Sequence, residues 1–329
     1  MKILANDGIS DNAKKQLEEN GFTVITDKVN QEDLITKINE ENYEGILVRS
    51  ATKVRKDIID NCPNIKFIGR GGVGTDNIDV EYAREKGIFV FNTPASSSQS
   101  VAELVIGNMF AISRFIGKSA KNIENGDFNK LKKEYGSGVE LRGKTLGIVG
   151  FGRIGQTLAS YALGMGMRVV AVDIEEKTET VNLGLKWTTS DGQNVENKVG
   201  IIIKTTTNID DILPICDYIS LHVPKQLNGD SVISKRELEM MKPGARIINT
   251  SRGGVVNELD LLQALDNGHI SAASLDVFEN EPTPMKELLS HPNILCTPHI
   301  GAATNEAQDR IGQEIVDTIL KQFKTEEVL

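Results

Sequence analysis

Cysteine is scarce in this chain. Cys62, Cys216 and Cys296 are the only three in 329 residues, far apart and in no ligand-spaced cluster. That excludes a disulfide scaffold and gives no zinc signature, so metal-free chemistry in a reducing cytoplasm is the simple expectation. Each thiol reads as a small buried hydrophobe. Basic residues are also in deficit: 37 Lys and Arg stand against 46 Asp and Glu, a net charge of −9. This balance argues against non-specific nucleic-acid binding and against an anionic membrane surface. An anionic small molecule is still compatible, provided Arg or Lys gathers locally. No apolar run is long enough to span a bilayer. The N-terminus, MKILANDG, reads as a first strand and not a signal peptide, and repeats and low-complexity tracts are lacking.

What is present is globular, with 39% hydrophobic and 25% charged residues. The length suits two domains. The most informative stretch is 144–173. Thr145 to Val149 is an apolar run suited to a buried strand, followed at once by Gly150-Phe151-Gly152-Arg153-Ile154-Gly155. A helical pattern covers Arg153 to Leu163, and Val169 to Val172 gives a second strand ending at Asp173. In a dinucleotide-binding turn, Gly150 permits the tight turn, Gly152 lets the backbone approach a pyrophosphate, and Gly155 allows close helix–strand packing. The helix N-terminus offers unpaired N–H groups to phosphate. Asp173 stands where an acid accepts hydrogen bonds from an adenosine ribose, and its charge opposes a 2′-phosphate, which points to NAD over NADP.

Before this stretch, residues 1–94 alternate strands with amphipathic helices. Strands are expected at Lys2–Ala5, Phe22–Thr26, Gly45–Val48, Lys66–Gly69 and Ile88–Phe91. Helices are expected at Asp11–Glu19, Gln31–Asn39, Val54–Asn61 and Val80–Lys86. The alternation predicts a parallel sheet covered on both faces. Two loops follow strand ends, where open α/β sheets bind ligands: Val48-Arg49-Ser50-Ala51-Thr52, and Gly69-Arg70-Gly71-Gly72-Val73-Gly74. A glycine-rich loop beside an arginine can turn N–H groups toward an anion. A plain tight turn with a solvated Arg fits the spacing equally well. Asn92 to Ser98 marks a boundary, and a long buried helix is expected from Ser100 to about Lys118. Asn125 to Phe128 reads as the end of the next helix, with Lys130, Lys132 and Lys133 on a solvated face.

After Asp173, residues 174–210 turn polar, and Thr180–Trp187 with Val199–Lys204 suggests a surface hairpin around Asp191-Gly192. Strands preceded by helices resume at Tyr218–Val223, Arg246–Thr250, Ser271–Leu275 and Asn293–Thr297, and a terminal helix is expected over Ala303–Phe323. The reading is thus two doubly wound α/β units. Three polar clusters end these later strands: Thr250-Ser251-Arg252, Asp276 to Glu281, and Thr297-Pro298-His299. If they converge, they supply an arginine for a substrate carboxylate, a histidine for proton transfer and a carboxylate to orient it. Singly, each has a bland alternative: a surface ion-pair partner, a helix-start acid, a helix-flanking histidine.

At these residues the chain resembles the D-isomer-specific 2-hydroxyacid dehydrogenases. The matching stretches are VRSATKV (48–54), GRGGVGTDNID (69–79), FNTPASSSQSVAEL (91–104), LGIVGFGRIG (146–155), LHVP (221–224), NTSRGGVV (249–256), LDVFENEP (275–282) and TPHIGAAT (297–304). The resemblance implies a flavodoxin-like substrate domain, 1–94 plus 301–329, into which a Rossmann NAD-binding domain, 95–300, is inserted, with hinges closing the cleft. It implies Arg252, Glu281 and His299 as the catalytic set. Gly150, Gly152, Arg153, Ile154, Gly155 and Asp173 would hold NAD, with His222, Val223, Pro224, Thr250, Ser251, Asp276 and Gly301 flanking it. Val73 and Gly74 would meet a substrate carboxylate. Arg49 and Arg70, with Ser50, would meet a phosphate, so the expected substrate is a small, phosphorylated 2-hydroxy or 2-keto acid, with glycerate/hydroxypyruvate or another D-2-hydroxy acid as the nearest alternative. A two-fold dimer built on the long helix is expected, with a tetramer open. The family also contains corepressors that bind NAD(H), which leaves a non-catalytic sensor as the alternative of another class. Members with an added serine-binding domain continue well past the terminal helix. A chain ending at Leu329 is therefore expected to be insensitive to L-serine.

Overall fold

In the computed structural model, which describes residues 1–226 and 228–324, the chain divides into two compact units. One comprises Met1–Ser100 with the chain from Ala302 onward, and the other Val101–Gly301. The first division thus falls six residues past the expected 94. Ser96 explains this: its Oγ donates to Arg310 O at 3.1 Å and its carbonyl accepts from Arg310 Nε at 2.9 Å, while Ser100 bonds Thr304 at 2.8 Å.

The first unit is a five-stranded parallel sheet, β1 (Lys2–Ala5), β2 (Thr23–Ile25), β3 (Gly45–Val48), β4 (Phe67–Arg70) and β5 (Phe89–Asn92), in the order β2-β1-β3-β4-β5. Strand side chains alternate between faces, so both faces are apolar and each has a separate core. Leu4, Ile46, Ile68 and Val90 pack on one side with Leu34, Ile38 and Ile58. Ile3, Ala5, Leu47 and Phe67 pack on the other with Ala13, Leu17, Ile311, Ile315 and Ile319. The helices are α1 (Asp11–Glu19), α2 (Leu34–Glu40), α3 (Lys56–Asn61) and α4 (Val80–Glu85). The start expected at Gln31 is a 3₁₀ turn. Val54 lies before α3, in a bridge to Ile78. The terminal helix (Asn305–Phe323) lies against α1, where a Cβ on Gly312 would stand 2.4 Å from Ser10 Oγ.

Helix α5 (Ser98–Ser113) carries the chain into the second unit, and its Ala102, Val105 and Met109 are fully buried. The expected continuation to Lys118 breaks at Phe115, which is left-handed (φ 55°); a separate α6 (Ile116–Asn122) departs at 63°. Among the described residues no single helix is long and apolar enough to cross a membrane. Asn125–Phe128 opens a further helix, α7 (Phe128–Glu134), instead of ending one, because the Asp127 side chain accepts from Lys130 N. The sheet comprises β6 (Thr145–Val149), β7 (Arg168–Val172), β8 (Thr178–Thr188), β9 (Asn194–Thr206), β10 (Tyr218–Leu221), β11 (Ala245–Asn249), β12 (Ile270–Leu275) and β13 (Ile294–Cys296). Its order is β13-β12-β11-β10-β6-β7-β9-β8. All pairs are parallel except β8 with β9, which form a hairpin. Helices α8 (Arg153–Gly164), α9 (Lys235–Met240), α10 (Glu258–Asp266) and α11 (Lys286–Ser290) supply most crossovers. The helix expected before β10 is replaced by two 3₁₀ turns, with Pro214 at the start of the second.

Candidate active site

Register brings the expected site residues of the second unit to one edge. Val149 pairs with Val172 and with Leu221, Leu221 with Asn249, Asn249 with Leu275, and Leu275 with Cys296. One residue further along each strand stand Gly150, Asp173, His222, Thr250, Asp276 and Thr297. Parallel pairing therefore aligns six loop starts, at the carboxyl edge where such sheets bind ligands.

The glycine turn is sterically specific. Gly150 has φ +93°, and a Cβ there would lie 2.5 Å from His222 O. A Cβ on Gly155 would lie 2.4 Å from Gly150 O, so α8 closes on the turn as only glycine allows. A Cβ on Gly152 would meet nothing within 4 Å, leaving that face open for a ligand. Gly152 caps α8 without a side-chain bond, so the first-turn N–H groups of Arg153, Ile154 and Gly155 point outward, as a pyrophosphate requires. Asp173 lies beside the turn. Its Oδ2 accepts from Phe151 N at 2.9 Å and from Lys177 Nζ at 2.7 Å, and its Oδ1 from Ile174 N at 2.8 Å. Burial works to raise its pKa, but the Lys177 ammonium and the two N–H donors outweigh it and hold the carboxyl below its usual value. Next along the edge, His222 bonds Ser220 Oγ at 2.9 Å, and burial pushes its pKa down to about 4, so it is neutral near pH 7. His222 Nδ1 and Thr250 Oγ1 are buried without a partner among the described residues. Two orphaned polar atoms beside an open glycine turn are what a bound polar cofactor would satisfy. Val223 packs on the core near Pro224.

The candidate acid/base pair is assembled from two loops. His299 Nδ1 and Glu281 Oε2 are 2.8 Å apart, with about a third of each side chain exposed. Glu281 Oε1 accepts from Phe278 N at 2.9 Å. Burial tends to raise Glu281; the His299 bond, the Phe278 N–H and the charges of His299 and Arg252 together lower it below the ordinary range. A carboxylate on Nδ1 selects the tautomer with its proton there and leaves Nε2 as the basic nitrogen. Nε2 has no partner among the described residues. Arg252 donates to Ser251 O at 2.6 Å, and its charge reaches Glu281.

Several supporting roles went unread in the sequence, including one for Asp276, which was expected only to flank the cofactor. Asn249, 2% exposed, accepts from Ser251 N and Ser251 Oγ and donates to Arg252 O at 2.9 Å, fixing the turn that carries Arg252. Asp276 is fully buried. It accepts from Thr297 Oγ1 at 2.6 Å, Ile300 N at 2.9 Å and Gly301 N at 2.8 Å, bracing the His299 loop. A Cβ on Gly253 would stand 1.9 Å from Phe278 O, so the arginine and carboxylate loops approach only through glycine. Buried Glu258 accepts from Glu279 N at 2.7 Å, and burial raises its carboxyl above the ordinary range. Apart from the local turn that Asn249 fixes, these roles rest on contacts between distant segments that no local spacing signals.

In the first unit, Asp7 Oδ2 accepts from Arg49 N at 2.7 Å and Thr52 N at 3.0 Å, and Lys28 pairs with Asp7. A cavity of about 420 Å³ there is lined by Asp7, Lys28, Arg49 and Ser50 among others. Arg70 folds over its own loop: a Cβ on Gly72 (φ +138°) would sit 1.6 Å from Arg70 Nη1. The N–H groups of Val73 and Gly74 find no acceptor among the described residues, as an anion site requires.

The fold and site define a nucleotide-binding oxidoreductase architecture that carries a hydrogen-bonded His–carboxylate pair. Residues 106–301 match the family described as D-isomer specific 2-hydroxyacid dehydrogenase, NAD binding domain. A D-3-phosphoglycerate dehydrogenase of Methanocaldococcus jannaschii is 39% identical over 99% of this chain and 58% of its own length. A hydroxypyruvate reductase of Thermotoga maritima is 40% identical over 98% of both chains. An NAD-dependent formate dehydrogenase from Staphylococcus aureus, solved with NAD, superposes with a TM-score of 0.80 at 26% identity, over 100% of this chain and 97% of that one. The chain therefore belongs to the D-isomer specific 2-hydroxyacid dehydrogenases. It spans somewhat over half the length of the phosphoglycerate dehydrogenase it matches.

Proposed function

We propose that the protein is a cytoplasmic, NAD-dependent dehydrogenase of D-2-hydroxy acids, and that its substrate is D-3-phosphoglycerate, oxidised to 3-phosphohydroxypyruvate as the first step of serine biosynthesis. The observation that carries the activity is the Glu281–His299 pair with Nε2 open, set beside Arg252 on the edge that also bears the open glycine turn. Bound NAD supplies the hydride acceptor. His299 Nε2 takes the hydroxyl proton during oxidation and returns it to the keto oxygen during reduction. Glu281 stabilises the imidazolium formed in between. Arg252 binds the substrate carboxylate and polarises the carbonyl. Gly150, Gly152, Arg153, Ile154 and Gly155 hold the pyrophosphate and Asp173 the ribose. His222, Val223, Pro224, Thr250, Ser251, Asp276 and Gly301 border the cofactor.

For the substrate, the unpaired Val73 and Gly74 N–H groups suit a carboxylate, and Arg49, Ser50 and Arg70 suit a phosphate. The T. maritima relative favours hydroxypyruvate as the second reading, since the two chains match nearly end to end. Oxidation of NADH with 3-phosphohydroxypyruvate, hydroxypyruvate, pyruvate and 2-oxoglutarate decides between them. A kcat/KM preference for the phosphorylated acid is expected; preference for hydroxypyruvate would move the protein to the second reading. Binding of NADH without turnover of any of these acids would point to a sensor. The exposed Phe110, Ile116, Ile123 and Phe128 support a homodimer on the α5–α7 face, which sedimentation analysis would test.

A further inference from the structure

Lys177 opens the polar insertion that follows β7, and its position is imposed. Its N–H donates to Thr205 Oγ1 at 2.9 Å, and its carbonyl accepts from Thr205 N at 2.9 Å. Thr205 Oγ1 also donates to Glu175 O at 2.9 Å. Thr205 is 2% exposed on β9, where it pairs with Ala171. The base of the hairpin therefore closes the turn from Asp173 to Lys177, and the lysine ammonium arrives on the acid that begins it. Asp173 Oδ2 now accepts twice, from Phe151 N and from Lys177 Nζ, which uses both of its lone pairs. A ribose hydroxyl that donates to Asp173 meets Oδ1, or it displaces the lysine. In the first case the carboxylate keeps a cation of its own, one third exposed and free to turn toward solvent.

A bare aspartate at this place excludes a 2′-phosphate by charge. An ammonium on that aspartate cancels the repulsion and is itself a phosphate donor. Glu176 does not reverse this, since it pairs with Lys204 at 3.4 Å.

We propose that Lys177 is a specificity-determining residue at the ribose 2′ position: it neutralises Asp173 when NAD is bound and turns to the 2′-phosphate when NADP is bound, so that this chain binds both, with NAD preferred. The inference rests on Asp173 being the ribose acceptor, as proposed above. It assigns a task to the base of the insertion, which had no reading in the sequence.

The test is calorimetric binding of NAD⁺ and of NADP⁺, without substrate, to the wild-type protein, Lys177→Gln, Lys177→Arg and Asp173→Asn. Loss of one charge-assisted contact should raise the NADP⁺ to NAD⁺ ratio of Kd values by about tenfold in Lys177→Gln, mostly through NADP⁺. Lys177→Arg should stay within about threefold of wild type, because it keeps the charge. A ratio in Lys177→Gln within twofold of wild type would overturn the proposal, while a lowered ratio in Asp173→Asn would leave the ribose reading standing. An unchanged ratio in Asp173→Asn would remove that reading and the proposal with it.

Discussion

His299 holds a left-handed backbone (φ 54°), a conformation that non-glycine residues seldom adopt. Bonds from His299 N to Thr297 O and from Ile300 N to Asp276 keep it there, and the reward is an imidazole aimed at Glu281. His299→Ala should lower kcat by about 10² or more through loss of acid/base help, while calorimetry shows NAD binding retained; near-normal turnover would remove the assigned role. Glu281 carries a pH signature. Its carboxyl is held below the ordinary range when folded, so its ionised form adds stability that is full above the unfolded pKa of about 4.3 and fades as pH falls through the lower folded value. The Tm gap between wild type and Glu281→Gln should therefore be widest at neutral pH and narrow below about pH 4. A gap constant from pH 7 to pH 3 would contradict the coupling. Asn249 acts only through what it holds. Asn249→Ala leaves Ser251 donors unpaired and should cost about 1–3 kcal/mol in urea unfolding. It should raise KM for the keto acid by loosening Arg252.

At the scale of elements, the most legible piece was the strand–turn–helix of 145–164. Strand β6 and the start of α8 lie at the residues where apolar pattern and glycines placed them. The three glycines have the steric reasons expected: a positive φ at Gly150, an open face at Gly152 and a helix-to-turn approach at Gly155. Gly253 was not legible, because the carbonyl it must clear belongs to Phe278, 25 residues later. The break at Phe115 was equally hidden: apolar periodicity runs on through it, and only a backbone conformation ends the helix. Likewise the hairpin was visible as two strands, but its coupling to Asp173 depends on Thr205 reaching back across β7. The hairpin also separates into two parts. Val181 and Ile203 are buried in the core against α8, whereas Gly184 and Lys198 are exposed. Joining Gly184 to Lys198 through an Asn-Gly turn should therefore leave Tm within a few degrees and cofactor binding unchanged. Ile203→Ala should cost about 2–4 kcal/mol. Equal losses from both changes would show that the distal hairpin is part of the packed structure.

For the molecule as a whole, the net charge of −9 sets the problem that substrate recognition must solve. A phosphorylated keto acid carries several negative charges and is repelled by the average surface. Its affinity must come from local donors that outweigh that field. For the proposed phosphorylated substrate the first unit offers candidates of two kinds: N–H groups at Val73 and Gly74 with no acceptor among the described residues, and cations at Arg49 and Arg70. The two arginines are not equivalent tests. Arg70 is folded over Gly72, so its removal also disturbs the loop. Arg49 lines the cavity, and Asp7 fixes its backbone without holding its guanidinium. Arg49→Ala is therefore the cleaner substitution. Losing one charge-assisted bond of about 1.5–3 kcal/mol should lower kcat/KM for 3-phosphohydroxypyruvate by about tenfold to a hundredfold. Hydroxypyruvate, which lacks the phosphate, should lose less than about threefold. The difference should shrink as salt is raised, since screening weakens an exposed charge pair. Equal losses for both acids would place Arg49 at the carboxylate or in the scaffold, and would favour the unphosphorylated substrate.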